Sequence, residues 1–163
     1  MHCVHGTAHP PSPQIADNSE FSTFTPPLPR TGTCDASISS MRILIADDER
    51  DFAAYLSLMV EDAGHEVAQV VTTGGPSTVL AYDDCIPDIV LMDIMMPDSN
   101  GIVSTRQILS RNPCARVILM SGMLDTVNLQ ATAAKAGAAA NLHKPFSQAH
   151  LQEVIDTLSS EAK

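Results

Sequence analysis

The chain has 163 residues, a net charge of −10 and a pI near 4.7. That length holds one domain with a real core and some excess. The acidity argues against the basic patches that nucleic acid or an anionic membrane would require, and no apolar run approaches the roughly 18 residues of a membrane span.

Residues 1–40 stand apart from the rest. They hold Pro10, Pro11, Pro13, Pro26, Pro27 and Pro29, six of the eleven prolines, with Ser, Thr and Gly between them. No helical or strand period appears, so this extension is expected to be disordered. It has no basic n-region followed by an apolar h-region, so no secretory signal is expected. His2, Cys3, His5 and His9 cluster there, but their spacing fits no closed metal site. Cys3, Cys34, Cys85 and Cys114 are scattered and are read as free thiols of a reducing cytoplasm. Met41 directly precedes the first periodic segment, and a start there would give a complete domain over 41–163.

From Met41 the pattern changes. Ile43 to Ala46 predict a buried strand running into Asp47, Asp48 and Glu49. A helix follows, with Phe52, Leu56, Met59 and Val60 on one stripe and Gly64 as its stop. Val67 to Val71 form the second strand. Gly74-Gly75-Pro76-Ser77 open a second helix reaching about Asp84. Ile89-Val90-Leu91-Met92-Asp93 is an unbroken apolar run ending in a carboxylate, which predicts a strand buried on both faces. A third helix runs from Gly101 to about Arg111. Val117 to Met120 form a fourth strand ending at Ser121. An Ala-rich fourth helix spans about Thr126 to Ala136, stopped by Gly137. Ala139 to Leu142 form a weak fifth strand before His143-Lys144-Pro145. The last helix buries Leu151, Val154, Ile155 and Leu158, with Ser147 as N-cap and Phe146 and Leu151 as a hydrophobic staple. Five strand–helix repeats with right-handed crossovers predict an α/β fold, a doubly wound parallel five-stranded sheet. About five residues remain after the last helix pattern, so no output module is expected there.

The chemistry collects at the strand ends. Asp47 and Asp48 end the first strand, Asp93 the third, Ser121 the fourth and Lys144 the fifth. In an open α/β sheet these ends share one edge, where sites form. A carboxylate that ends a central strand needs a cation or a reaction to justify its desolvation, so Asp93 is read as a nucleophile that accepts a phosphoryl group. Three carboxylates together repel, and a hard cation such as Mg²⁺ suits them. Lys144 adds a positive charge and Ser121 a hydroxyl, the equipment for a phosphoryl group in flight. Taken singly, the acids could start a helix, Ser121 could be a turn residue and Lys144 a solvated charge. Five such residues ending four strands in order argue for the joint function.

From Met41 to about Ser160 the chain resembles a receiver domain of two-component response regulators, of the stand-alone type. The matching pieces are Leu44-Ile45-Ala46-Asp47-Asp48-Glu49, Leu91-Met92-Asp93-Ile94-Met95-Met96-Pro97, Gly101, Leu119-Met120-Ser121-Gly122 and Lys144-Pro145-Phe146. The resemblance implies a flavodoxin-like (βα)₅ fold and a phosphoryl group taken by Asp93 from a histidine kinase or a histidine phosphotransfer protein. It implies that Asp48, Asp93 and the backbone carbonyl of Met95 bind Mg²⁺ directly, Asp47 through water. Ser121 and Lys144 would contact phosphoryl oxygens, and Lys144-Pro145 would be cis. Turnover would be confined to the protein's own phosphorylation and dephosphorylation. Output would pass through contact with a downstream protein, from a cytoplasmic monomer or weak dimer. One position departs from the family: Asn141 stands where Tyr or Phe is usual, so the usual aromatic switch is in doubt. Two other readings stay open. One is a flavodoxin-type FMN binder, suggested by Thr72 to Ser77 but set after the wrong strand and without Trp. The other is a phosphorylation-independent adaptor on the same fold.

Overall fold

The computed structural model describes residues 40–97, 100–123 and 125–160. The disorder expected for residues 1–40 and the histidine–cysteine cluster near the N-terminus lie outside the described residues, apart from Ser40. Among the described residues five strands and five helices alternate: β1 (Arg42–Ala46), α1 (Arg50–Asp62), β2 (Glu66–Val71), α2 (Gly75–Cys85), β3 (Ile89–Asp93), α3 (Gly101–Arg111), β4 (Val117–Ser121), α4 (Thr126–Ala136), β5 (Ala140–His143) and α5 (Gln148–Ser160). The predicted elements are all present. Boundaries move by a residue or two, most visibly at β5, which starts and ends one residue later than the apolar pattern suggests. All pairings are parallel, in the order β2-β1-β3-β4-β5.

Period-two alternation sorts the central strands between two cores. Leu44, Ala46, Val90, Met92, Val117 and Leu119 face one side, with buried residues of α2, α3 and α4. Ile43, Ile45, Ile89, Leu91, Ile118 and Met120 face the other, with residues of α1 and α5. β3 and β4 are buried at every position, whereas the edge strand β2 is mostly half-buried or exposed. Apolar runs in the middle and mixed sequence at the edge therefore follow from helices covering both faces.

Helix ends are closed by specific partners. Asn100 caps α3 by accepting from the amide of Ile102, and Asp125 caps α4 by accepting from the amide of Asn128. Ser147 caps α5 as expected, its Oγ accepting from the His150 amide at 3.2 Å. Arg42 reaches from β1 to the α2 terminus and donates to the Cys85 carbonyl at 2.6 Å, satisfying an orphan acceptor with a cation where the helix dipole favours one. Arg116 does the same for α5 at the Leu158 carbonyl.

The order places β1 and β3 side by side at the centre, with the chain leaving them toward opposite faces. The crevice of such a sheet lies outside the carboxyl ends of these two strands. Two glycines let the loops there pack closely. Gly74 has φ +104, and a Cβ on it would lie 2.5 Å from the Pro97 carbonyl oxygen. The β2–α2 loop thus rests against the β3–α3 loop. A Cβ on Gly101 would meet the Asp93 carbonyl oxygen at 2.0 Å.

Candidate functional site

Asp47 directly follows β1 and is 1% exposed. Its amide still bonds the Val71 carbonyl, extending the β1–β2 ladder by one residue. Its Oδ1 then accepts from the Glu49 amide, which bends the chain off the sheet into α1. Asp93 and Ser121 repeat the device two and three strands later in the chain. Asp93 Oδ2 accepts from the Met95 amide at 2.9 Å, and Ser121 Oγ accepts from the Met123 amide at 3.2 Å. Each polar side chain thus closes an i to i+2 turn at its own strand end, the local habit of Asp and Ser. That habit explains why these residue types both end strands and point across the sheet edge.

Lys144 joins the set from β5. Its amide donates to the Ser121 carbonyl at 2.9 Å, holding it beside β4. Its Nζ donates to Asp47 Oδ2 at 2.5 Å and to Asp93 Oδ1 at 2.8 Å. The lysine side chain is 16% exposed. Lys144-Pro145 is cis, as the resemblance implies. Asp48 is exposed at the rim, yet a carboxylate oxygen from each of Asp47, Asp48 and Asp93 lies within 4.8 Å of the others. All five residues expected from the strand ends therefore sit at one edge, and the Lys144 side chain bonds two of the others, Asp47 and Asp93.

Charge decides what the arrangement can hold. Three carboxylates against one ammonium leave a net negative pocket suited to a divalent, oxygen-loving cation. Burial pushes the Asp93 carboxyl above its ordinary value, although the Lys144 hydrogen bond and charge pull the other way. Desolvation works to lower the Lys144 ammonium, but its bonds to Asp47 and Asp93 prevail and leave it raised. The ammonium is thus held charged between two buried carboxylates, one of which is costly to ionise.

One contact was not legible in the residue pattern. The Lys144 ammonium also lies 4.3 Å from the centroid of the Phe52 ring. Phe52 belongs to the helical stripe of α1, and its spacing assigns it to the core. Its half-buried ring does pack against the core face shared by α1 and α5, and it reaches the site as well.

A receiver-domain model of response regulators matches residues 43–156. The chain belongs to the response regulator receiver family. It is 38% identical to the chemotaxis protein CheY of Thermotoga maritima over 122 residues, 72% of this chain and 97% of that protein. Among solved structures, a CheY-like receiver from Methanospirillum hungatei has a TM-score of 0.67 at 26% identity, covering 76% of this chain and 98% of that one. The CheX–CheY–BeF3–Mg²⁺ complex from Borrelia burgdorferi has a TM-score of 0.68 at 25% identity, covering 72% and 88%. The receiver is a signalling protein rather than a metabolic enzyme. Nothing in these likenesses supports the FMN alternative. Gly74, within the stretch that suggested a flavin loop, has another reason, since the Pro97 carbonyl occupies the space beside it. Among the described residues, no helix is long and apolar enough to cross a membrane.

Asn141, the departure from the family pattern, and the two methionines beside the strand ends have clear surroundings in the receiver. Asn141 is half-buried on β5, beside a cleft of about 420 Å³ lined by Thr126, Gln130, Asn141, His143, Pro145 and His150. Among the described residues no Phe, Tyr or Trp lines it. Met95 and Met123 flank the strand ends with 54% and 78% exposure. Their side chains stand open to solvent, while their amides serve the site.

Proposed function

We propose that Asp93 is the phosphoacceptor of this receiver. The observation that carries the proposal is the Lys144 ammonium bonded to both Asp47 and Asp93 inside a three-carboxylate cluster. An Asp93 carboxylate oxygen attacks phosphorus in line, the bond to the donor nitrogen breaks, and the departing histidine keeps its electron pair. Asp48, Asp93 and the Met95 carbonyl would hold Mg²⁺ directly and Asp47 through water. Bound there, the ion supplies positive charge to the phosphoryl oxygens. Lys144 adds a second positive charge and Ser121 a hydroxyl on the other side. In the Borrelia complex a CheY is bound with BeF3, Mg²⁺ and the protein CheX. By similarity, this chain takes its phosphoryl group from a histidine kinase or phosphotransfer protein and acts by protein contact in the cytoplasm. Residues 41–163 would form the receiver unit, with 1–40 as an accessory extension.

Labelling with acetyl phosphate tests this. The full chain is expected to take up one acid-stable, base-labile phosphoryl group in Mg²⁺ buffer and none in excess EDTA, because three acids without a divalent ion repel an anionic donor. Labelling that persists without metal would remove Mg²⁺ from the mechanism. Absence of label under both conditions would remove Asp93 as acceptor.

The same label measures how long the phosphoryl group survives. Hydrolysis needs a water in line with the Asp93–phosphorus bond. Met95 and Met123 flank that approach, and a thioether neither donates nor accepts well enough to orient a water. Met95→Asn or Met123→Glu is expected to speed loss of label about tenfold, equivalent to about 1.4 kcal/mol in barrier. Equal decay in wild type and both variants would show that these exposed side chains are spectators.

A further inference from the structure

We propose that Phe52 is a positioning residue for phosphoryl transfer, holding the Lys144 ammonium in place by occupying the face that Asp47 and Asp93 leave open. The inference rests on the receiver reading given above.

An ammonium has three N–H donors. Two of those on Lys144 go to Asp47 and Asp93. The Phe52 ring takes the remaining side, its centroid 4.3 Å from Nζ. A cation within about 6 Å of a ring face is drawn to the ring quadrupole, and more strongly when water is excluded. Here the lysine side chain is only 16% exposed. The ring is itself held. Phe146 meets it edge-on at 6.0 Å and 85°, and Tyr55 lies at 6.5 Å, tilted by 52°. Phe146 follows Lys144 by two residues, so the segment that carries the lysine also clamps the ring beneath it. α1, which starts right after Asp47 and Asp48, supplies the ring itself.

The consequence is kinetic. A lysine reaches its target through four rotatable bonds, and its charge counts most when fixed in a dry site before the reaction. As the phosphoryl group arrives, the ammonium must shift from carboxylate to phosphoryl oxygens. The ring allows this small movement, since its face has no single bonding direction, while keeping water from the far side. An aliphatic side chain of similar bulk would fill the space without the quadrupole. Packing and electrostatics can therefore be separated.

The test uses the full chain, acetyl phosphate and saturating Mg²⁺, with single-turnover labelling rates read against donor concentration. Phe52→Leu and Phe52→Met are expected to lower the maximal rate about tenfold, leaving the half-saturating donor concentration unchanged. Phe52→Tyr and Phe52→Trp, which restore a ring face, are expected to stay within about twofold of wild type. The Trp variant adds a probe beside the lysine, since the chain has no tryptophan of its own. In a Lys144→Ala background, Phe52→Leu should slow labelling no further, because the ring then has no cation to hold. Melting temperatures of all variants accompany the rates. Wild-type rates in the Leu and Met variants would overturn the proposal. So would an equal loss in the folded Tyr and Trp variants, or a full further loss from Phe52→Leu without Lys144. A wild type that labels normally beside such results leaves the receiver reading intact, whereas an unlabelled wild type sinks both.

Discussion

Asp93→Asn is expected to abolish phosphoryl labelling and to change how stability depends on pH. Loss of label follows because the amide nitrogen is no nucleophile and Asp93 is the carboxylate bonded to Lys144 at the middle strand. The pH effect follows from linkage. Burial raises the Asp93 pKa in the folded protein above its ordinary 3.8. A group whose folded pKa is raised contributes stability below its unfolded pKa and loses it as pH rises through the folded one. Wild type should therefore lose stability relative to the Asn variant as pH rises from about 4 through the raised folded pKa. Denaturant melts of both proteins across that range measure the difference. A difference that runs the other way would mean that Lys144 outweighs desolvation at Asp93. Undiminished labelling of the variant would move the acceptor elsewhere. On the proposed reading, such a carboxylate is retained at a cost to the fold because phosphoryl transfer would need it, a common trade at active sites.

Gly101→Ala is expected to destabilise the domain by about 2–4 kcal/mol, lowering its melting temperature by roughly 10 °C. The added Cβ would lie 2.0 Å from the Asp93 carbonyl oxygen and 3.0 Å from both its carbonyl carbon and Met92 Cγ. The first two are backbone atoms of a central strand, paired with β4 through the Asp93–Met120 register, and cannot swing aside. The start of α3 would have to move instead. It is tied to the strand end by the Gly101 amide, which donates to the Ile94 carbonyl at 2.9 Å. Labelling should fall as well, since Asp93 lies at the clash. Thermal melts and labelling rates check this, and a variant that melts like wild type would show that the β3–α3 approach has slack.

What the residues determine by themselves is largely local. Apolar runs of four or five at Ile43, Ile89 and Val117 mark fully buried strands, because only a strand covered on both faces needs no polar alternation. The placement of Asp47, Asp93 and Ser121 was equally legible, since each closes a turn with an amide two residues on. The right-handed crossover then brings strand ends to one edge without further information. β5 was blurred because Ala and Asn carry little signal in a short, half-buried edge strand, and packing set its limits.

Only the tertiary structure decided the contacts that join distant segments. The bond from Lys144 to Asp47 spans 97 positions, and nothing near either residue encodes it. It depends on β1, β3, β4 and β5 lying side by side in that order, which is set by how five helices divide between two faces. The glycine at 101 reads as a helix start in the sequence. Its real constraint is a carbonyl eight residues earlier, brought within contact by the fold. Phe52 is the clearest case. Its helical spacing is that of a core residue, and periodicity reports only which side of a helix is apolar. Whether a ring at the helix start meets a lysine as well as its hydrocarbon neighbours depends on where β5 ends. That position is fixed by packing across the whole sheet.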